Sequence, residues 1–234
     1  MPHVACLWTR NGRGGRVLPD GCVDIVWTGT RLMVAGPATR AVFPDVSAGA
    51  TKLGLRFRTG AAALGLGFPA AELRDRSARL EEVWGRAGRE LEDRVAEAAG
   101  ADERLRLLAS STAARLADAP APDRLVRGAV RELARPRTRV AELCRSLGIS
   151  ERQLRRRIEV AVGYSPATLA RVLRLQRFLA LAARDGDDLA RLAADAGYAD
   201  QSHLTRECND LGGLPAGALL TAGAVPAGER LAGL

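Results

Sequence analysis

Histidine is nearly missing from this chain of 234 residues: His3 and His203 are the only two. That shortage weighs against a Ser-His-Asp or Cys-His nucleophile and against a zinc site built on imidazole. Cysteine is equally uninformative as a framework, because Cys6, Cys22, Cys144 and Cys208 stand apart with no CxxC pair. The expectation is no metal, no cofactor and no catalytic residue. No apolar run approaches about 18 residues, so no membrane span is predicted. The opening MPHVACLWTR lacks an apolar h-region, which predicts a cytoplasmic chain with reduced thiols. Lysine is scarce too, since Lys52 alone stands against 34 arginines. What is present is ordinary: 47% hydrophobic residues exclude a wholly disordered chain. The length suits one large domain or two of about 100–120 residues.

The formal charge of +8 is unevenly placed. Residues 1–123 carry +2 and residues 178–234 carry −4, whereas residues 124–177 hold 14 basic and 4 acidic side chains, a net +10. A short block of that sign suits a phosphate backbone. The plain alternative is a solvated helical surface.

Local patterns divide the chain. In the first 60 residues, Pro19-Asp20-Gly21 reads as a turn into a strand at Cys22–Trp27, and Leu32–Ala35 reads as a second strand. Leu53, Leu55 and Phe57 alternate with Gly54, Arg56 and Arg58, which predicts a half-buried strand with Arg56 and Arg58 toward solvent. From Pro69 the period becomes helical: a helix start at 69–73, a short helix at 80–84, and amphipathic helices over 88–118. Those last helices either pack on the sheet or dimerise through their apolar stripe. Ala119-Pro120-Ala121-Pro122 breaks the pattern where the charge steps. After it, Leu125, Val126, Ala129, Val130 and Leu133 form a stripe stopped by Pro136.

A repeat follows. Val140, Leu143, Cys144 and Leu147 precede Gly148, and 49 residues later Leu189, Leu192, Ala193 and Ala196 precede Gly197. Each is a short amphipathic helix with glycine at its C′ position. Ile149 or Tyr198 then pins the turn, and Ser150 or Asp200 caps the next helix. Ser150 with Gln153 fits a capping box. Leu154 pairs with Leu204 and Ile158 with Cys208 as inward positions. Helix, glycine turn, helix is the helix-turn-helix arrangement, and here it occurs twice in register. Between the copies, Ser165-Pro166 starts a helix of about 18 residues, roughly 27 Å long, against one DNA turn of roughly 34 Å. The fold class is therefore α+β. Residues 1–119 are a β-rich regulatory domain with trailing helices, 120–123 a linker, 124–222 an all-α domain of two helix-turn-helix subdomains joined by a long helix, and 223–234 a tail.

Gly163-Tyr164-Ser165-Pro166, Arg171–Arg177 and Leu189–Arg206 resemble the corresponding segments of AraC/XylS-type transcription regulators over about residues 124–222. The family pattern differs at Cys208, at Leu169 and at Pro215, which comes one place early. The segments 17–27, 36–37 and 53–61 resemble an uncharacterised domain often placed before this module. The resemblance implies a bacterial, sequence-specific DNA-binding regulator with recognition helices near 151–161 and 201–209 in successive major grooves. It implies DNA contacts from Arg152, Arg155 and Arg156, then Gln201, Ser202, Thr205 and Arg206. Arginine can bond guanine bidentately or hold phosphate, and glutamine can bond adenine. Arg157 reads as a phosphate contact or a solvent-exposed residue, and His203 as a partly buried surface residue. The +10 and −4 segments predict that the first helix-turn-helix grips DNA harder.

Asp20, Cys22, Asp24, Trp27 and Arg56 are the candidate ligand contacts of the N-terminal part. The structural alternatives are a turn for Asp20, core for Trp27 and a solvent-facing strand position for Arg56. Cys22 near arginine is a candidate activated thiolate. Double-stranded DNA is the expected partner, with RNA polymerase and a small-molecule effector as candidates, no membrane, and a monomer or homodimer. Two rival readings remain: a cysteine-based alkyl-acceptor or redox-sensing regulator, and a protein-interaction module with a degenerate second helix-turn-helix.

Overall fold

In the computed structural model, residues 2–10, 15–44, 51–186 and 188–222 are described. The expected tail, 223–234, lies outside them. Five strands form one antiparallel sheet in the order β1-β4-β2-β3-β5: β1 Val4–Arg10, β2 Asp24–Trp27, β3 Leu32–Ala35, β4 Lys52–Phe57 and β5 Ser77–Arg79. β2, β3 and β4 follow the alternation of apolar residues. β1 escapes that reading because its register shifts between Val4 and Cys6, which breaks the two-residue period. β5 is a three-residue edge strand whose residues carry no alternation.

β4 corrects the sequence expectation at Arg56. Leu53, Leu55 and Phe57 enter the core, but Arg56 is also buried, at 7% exposure, and only Arg58 faces solvent. The strand lies between β1 and β2, and its second face is covered by the Trp8 ring and by the Asp20–Asp24 turn.

α1 Ala62–Leu66 leads into a 3-10 turn, Ala70–Leu73, where an α-helix start is expected from sequence. α2 Leu80–Trp84, α3 Arg86–Glu97 and α4 Ala101–Ala117 follow. Leu91, Val95, Leu105 and Leu108 join Ile25, Leu55 and Phe57 in one core. The apolar stripe of 88–118 therefore packs within its own domain. Each such side chain contributes about 1.5–3 kcal/mol on burial.

The remaining elements are helices. α5 Arg124–Leu133 is capped by Asp123, whose Oδ1 accepts from the N–H groups of Leu125 and Val126 at 2.9 and 3.3 Å. α6 Val140–Leu147, α7 Glu151–Val162 and α8 Pro166–Asp185 follow, then α9 Leu189–Ala196, α10 Gln201–Glu207, a π turn at Cys208–Gly212 and α11 Ala216–Thr221. Two cores serve this half. One joins α5, α6, α7 and the first part of α8 through Val126, Leu143, Leu154, Ile158 and Leu169. The other joins the rest of α8 to α9, α10 and α11 through Leu175, Phe178, Leu192, Leu204 and Cys208.

Candidate nucleic-acid interface

α6 and α7 meet at Gly148, whose φ of 63° ends the first helix in the left-handed region. The Ile149 N–H returns to the Cys144 carbonyl at 3.1 Å. Ser150 Oγ then accepts from Gln153 N–H, and the Gln153 side chain accepts from Ser150 N–H at 2.9 Å. This is the reciprocal capping box read from the sequence. Leu154 and Ile158 are fully buried, which fixes the rotation of α7. Arg152, Arg155, Arg156 and Arg157 are consequently exposed. Arg155 pairs with Glu159 at 3.0 Å, and Arg157 bonds Asp123 at 2.5 Å. Arg157 thus ties α7 to the start of α5. Arg152 and Arg156 have no ion-pair partner among the described residues.

The second unit repeats this geometry. Gly197 has φ 92°, Tyr198 N–H donates to Ala193 O at 2.9 Å, and Asp200 caps α10 through His203 N–H at 2.7 Å. Leu204 and Cys208 are buried at the positions of Leu154 and Ile158. Gln201, Ser202 and Arg206 are exposed and Thr205 is half-buried. One cap went unread in the sequence: Asp188 accepts from Ala190 and Arg191 N–H at the start of α9. An Asp immediately before the first apolar position is its signal.

α8 connects the two units over 20 residues, about 30 Å. Its arginines alter the meaning of the basic block. Glu207, 4% exposed, accepts from Arg171 Nε at 2.9 Å and from Arg174 NH2 at 2.7 Å. Arg171 also reaches Asp210 at 3.0 Å, and Arg177 donates to Ala196 O at 2.8 Å. Arg174 lies over the Tyr198 ring, 5.0 Å from its centroid, and His203 meets the same ring edge-on. Two arginines of the +10 block are thereby paired with two of the acids that make the following segment negative, and a third is bonded to a backbone carbonyl. The contrast between the segments is smaller in space than along the chain.

The N-terminal candidates form a different kind of site. Arg56 NH1 lies 2.8 Å from Asp20, and its Nε and NH2 donate to Asp24 at 2.8 and 2.6 Å. Burial works against the Arg56 charge, but the bond to Asp24 and the two carboxylates outweigh it and raise its pKa. Burial raises the Asp20 pKa although Arg56 opposes it. Burial and Asp20 push the Cys22 thiol far up, so the expected activation of a thiolate by arginine is reversed. The Cys208 thiol is likewise pushed up to about 12 by burial and Glu207. Trp27 is a core residue at 2% exposure. The charged members of this set are therefore engaged with one another. No group of His, Cys, Asp and Glu able to hold a metal occurs among the described residues. No helix among them is long and apolar enough to cross a membrane.

A family model described as a helix-turn-helix domain matches residues 143–222. The chain carries an AraC-type helix-turn-helix domain. That segment is the kind of domain by which transcription regulators bind DNA. A second model, for a domain of unknown function, matches residues 1–79. Among curated proteins, none matches the chain by sequence. Solved structures with a similar fold include an apo variant of ToxT from Vibrio cholerae, 12% identical, covering 92% of this chain and 96% of that one with a TM-score of 0.48. Another ToxT structure from Vibrio cholerae is 10% identical over 93% of this chain and 96% of that one, at 0.47. A third, of ToxT bound to unsaturated fatty acid, is 10% identical over 96% of each chain, at 0.43.

Proposed function

We propose that this regulator reads double-stranded DNA sequence-specifically, with α7 and α10 in successive major grooves. The observation that carries this reading is the register of the two units. In both, the inward pair is buried and the outward face of the second helix is polar and exposed. Arg152, Arg155 and Arg156 present guanidinium groups suited to guanine or phosphate. Gln201, Ser202, Thr205 and Arg206 present mostly neutral groups suited to base edges. The first helix supplies more of the affinity, because Arg152 and Arg156 lack competing acids. Footprinting of genomic sites bound by the full chain supplies the operator. On that operator, Arg156→Ala is expected to weaken binding at least tenfold more than Arg206→Ala, by an estimate of 1–3 kcal/mol for a good arginine contact, about 1.4 kcal/mol being tenfold. Equal losses overturn the ordering.

The chain would act in the cytoplasm, where its DNA lies, and would work on transcription through RNA polymerase. A small-molecule effector would act at the N-terminal domain. A cleft of about 610 Å³ between α1, α3 and α4, lined by Leu64, Trp84, Glu90, Arg94 and Arg115, offers the space. A screen of small amphipathic anions by thermal shift tests this. Compounds that raise the wild-type Tm equally in Arg94→Glu bind elsewhere.

A further inference from the structure

The two halves of the chain do not share a boundary at the linker alone. Leu18, 5% exposed, belongs to the core of the second helix-turn-helix unit, together with Phe178, Leu211 and Leu219. Its Cδ2 lies 3.5 Å from where a Cβ on Gly212 would stand. Ala41 packs against the same core, and its N–H donates to Leu211 O at 2.7 Å. Arg16 donates to Gly212 O. Val17 and Val42 pair as a short antiparallel bridge at 2.9 and 3.0 Å, which clips the two ends of this segment together.

Between those ends the same segment grips the connector and the first unit. Gln176 Nε2 of α8 donates to Pro19 O at 2.7 Å. A Cβ on Gly21 would lie 3.3 Å from Leu169 of α8. Tyr164, 1% exposed, donates to Ala38 O. Gly163, between α7 and α8, has φ +91°, and a Cβ there would stand 2.5 Å from Pro37. The Arg74 guanidinium donates to Gly163 O at 2.5 Å. The Asp20–Arg56–Asp24 triad fastens the base of the segment to β4.

We propose that the stretches Arg16–Gly21 and Pro37–Ala41, which flank β2 and β3, are a structural part of the DNA-binding unit, completing the core of the second helix-turn-helix and bracing both units at one fixed separation. The inference rests on the DNA-binding reading only for its functional consequence. Its structural content is that the core on which α9 and α10 fold is completed, at the turn Cys208–Gly212, by Leu18 and Ala41 of the N-terminal part. Sequence alone conceals this, because Leu18 lies more than 150 residues from the helices it packs on.

Hydrogen exchange of the full chain tests it directly. Leu18→Ala is expected to raise exchange in α9 and α10 by about tenfold or more, while β2 and β4 keep their protection. Should Leu18→Ala fail to fold, Arg16→Ala and Gln176→Leu remove single anchors and are expected to loosen α9 and α10 to a smaller degree. Unchanged α9–α10 exchange in the folded variants overturns the proposal. Footprinting then reads the consequence: the variant keeps protection of the first half-site and loses the second. If the wild-type chain protects no DNA at all, the DNA-binding reading fails while the exchange experiment still decides the structural claim.

Discussion

Arg56 is the partner of two largely buried carboxylates in the N-terminal domain. Substituting alanine strands Asp20 and Asp24 beside the buried face of β4. Breaking a buried pair from one side costs about 3–5 kcal/mol. Urea unfolding of Arg56→Ala should show a loss of that size, and a loss under about 1 kcal/mol would mean that water reaches the two carboxylates. The alternation of β4 disclosed Leu53, Leu55 and Phe57, but not Arg56. Strand period assigns a side chain to a face and says nothing of what covers that face. The covering turn lies about 32 residues away in sequence, and its acids became legible only when the strand was placed inside the sheet.

Caps and glycine turns were the most legible elements. Ser150, Asp200 and Ser165 act where their sequence contexts place them, because a cap is a contact between residues two or three apart. Ser150→Ala should cost about 1 kcal/mol in chemical unfolding and lower α7 protection in hydrogen exchange. Asp123 joins two elements, capping α5 and bonding Arg157 of α7. Burial would raise its pKa, but the Arg157 bond and the α5 N–H groups bring it below the usual 3.8. A depressed carboxylate contributes stability that is full above 3.8 and is lost as pH falls through the folded value. The stability difference between wild type and Asp123→Asn should therefore be flat above that pH and shrink below it. A difference that grows on acidification contradicts the assignment. β1 was not legible because its bulge removes the periodicity on which strand reading depends.

Charge has to be read over the whole molecule. The +10 block includes Arg171, Arg174 and Arg177, which the fold commits to Glu207, Asp210 and the end of α9. Arg152 and Arg156 remain outward on α7. Counterion release separates the two groups, since each phosphate contact contributes about 0.9 to the slope of log K against log salt. Arg152→Gln or Arg156→Gln should reduce that slope by about one if the arginine holds phosphate. Arg174→Gln should lower stability and leave the slope unchanged. A reduced slope for Arg174→Gln would mean that the connector itself meets the backbone.

The sequence by itself determined the doubled helix-turn-helix, the caps of its second helices, its inward residues and the family that this half resembles. Each of these is written in spacings of a few residues, where helix periodicity and local hydrogen bonds decide the structure. Only the tertiary structure decided which charges of the basic block are paired and which stay exposed, what becomes of Asp20, Cys22, Asp24 and Arg56, and where the second unit finds the last of its core. Those outcomes depend on packing between segments far apart in the chain. Burial there matches a charge or fills a cavity with whatever residue the fold brings to it, and no local pattern records the pairing.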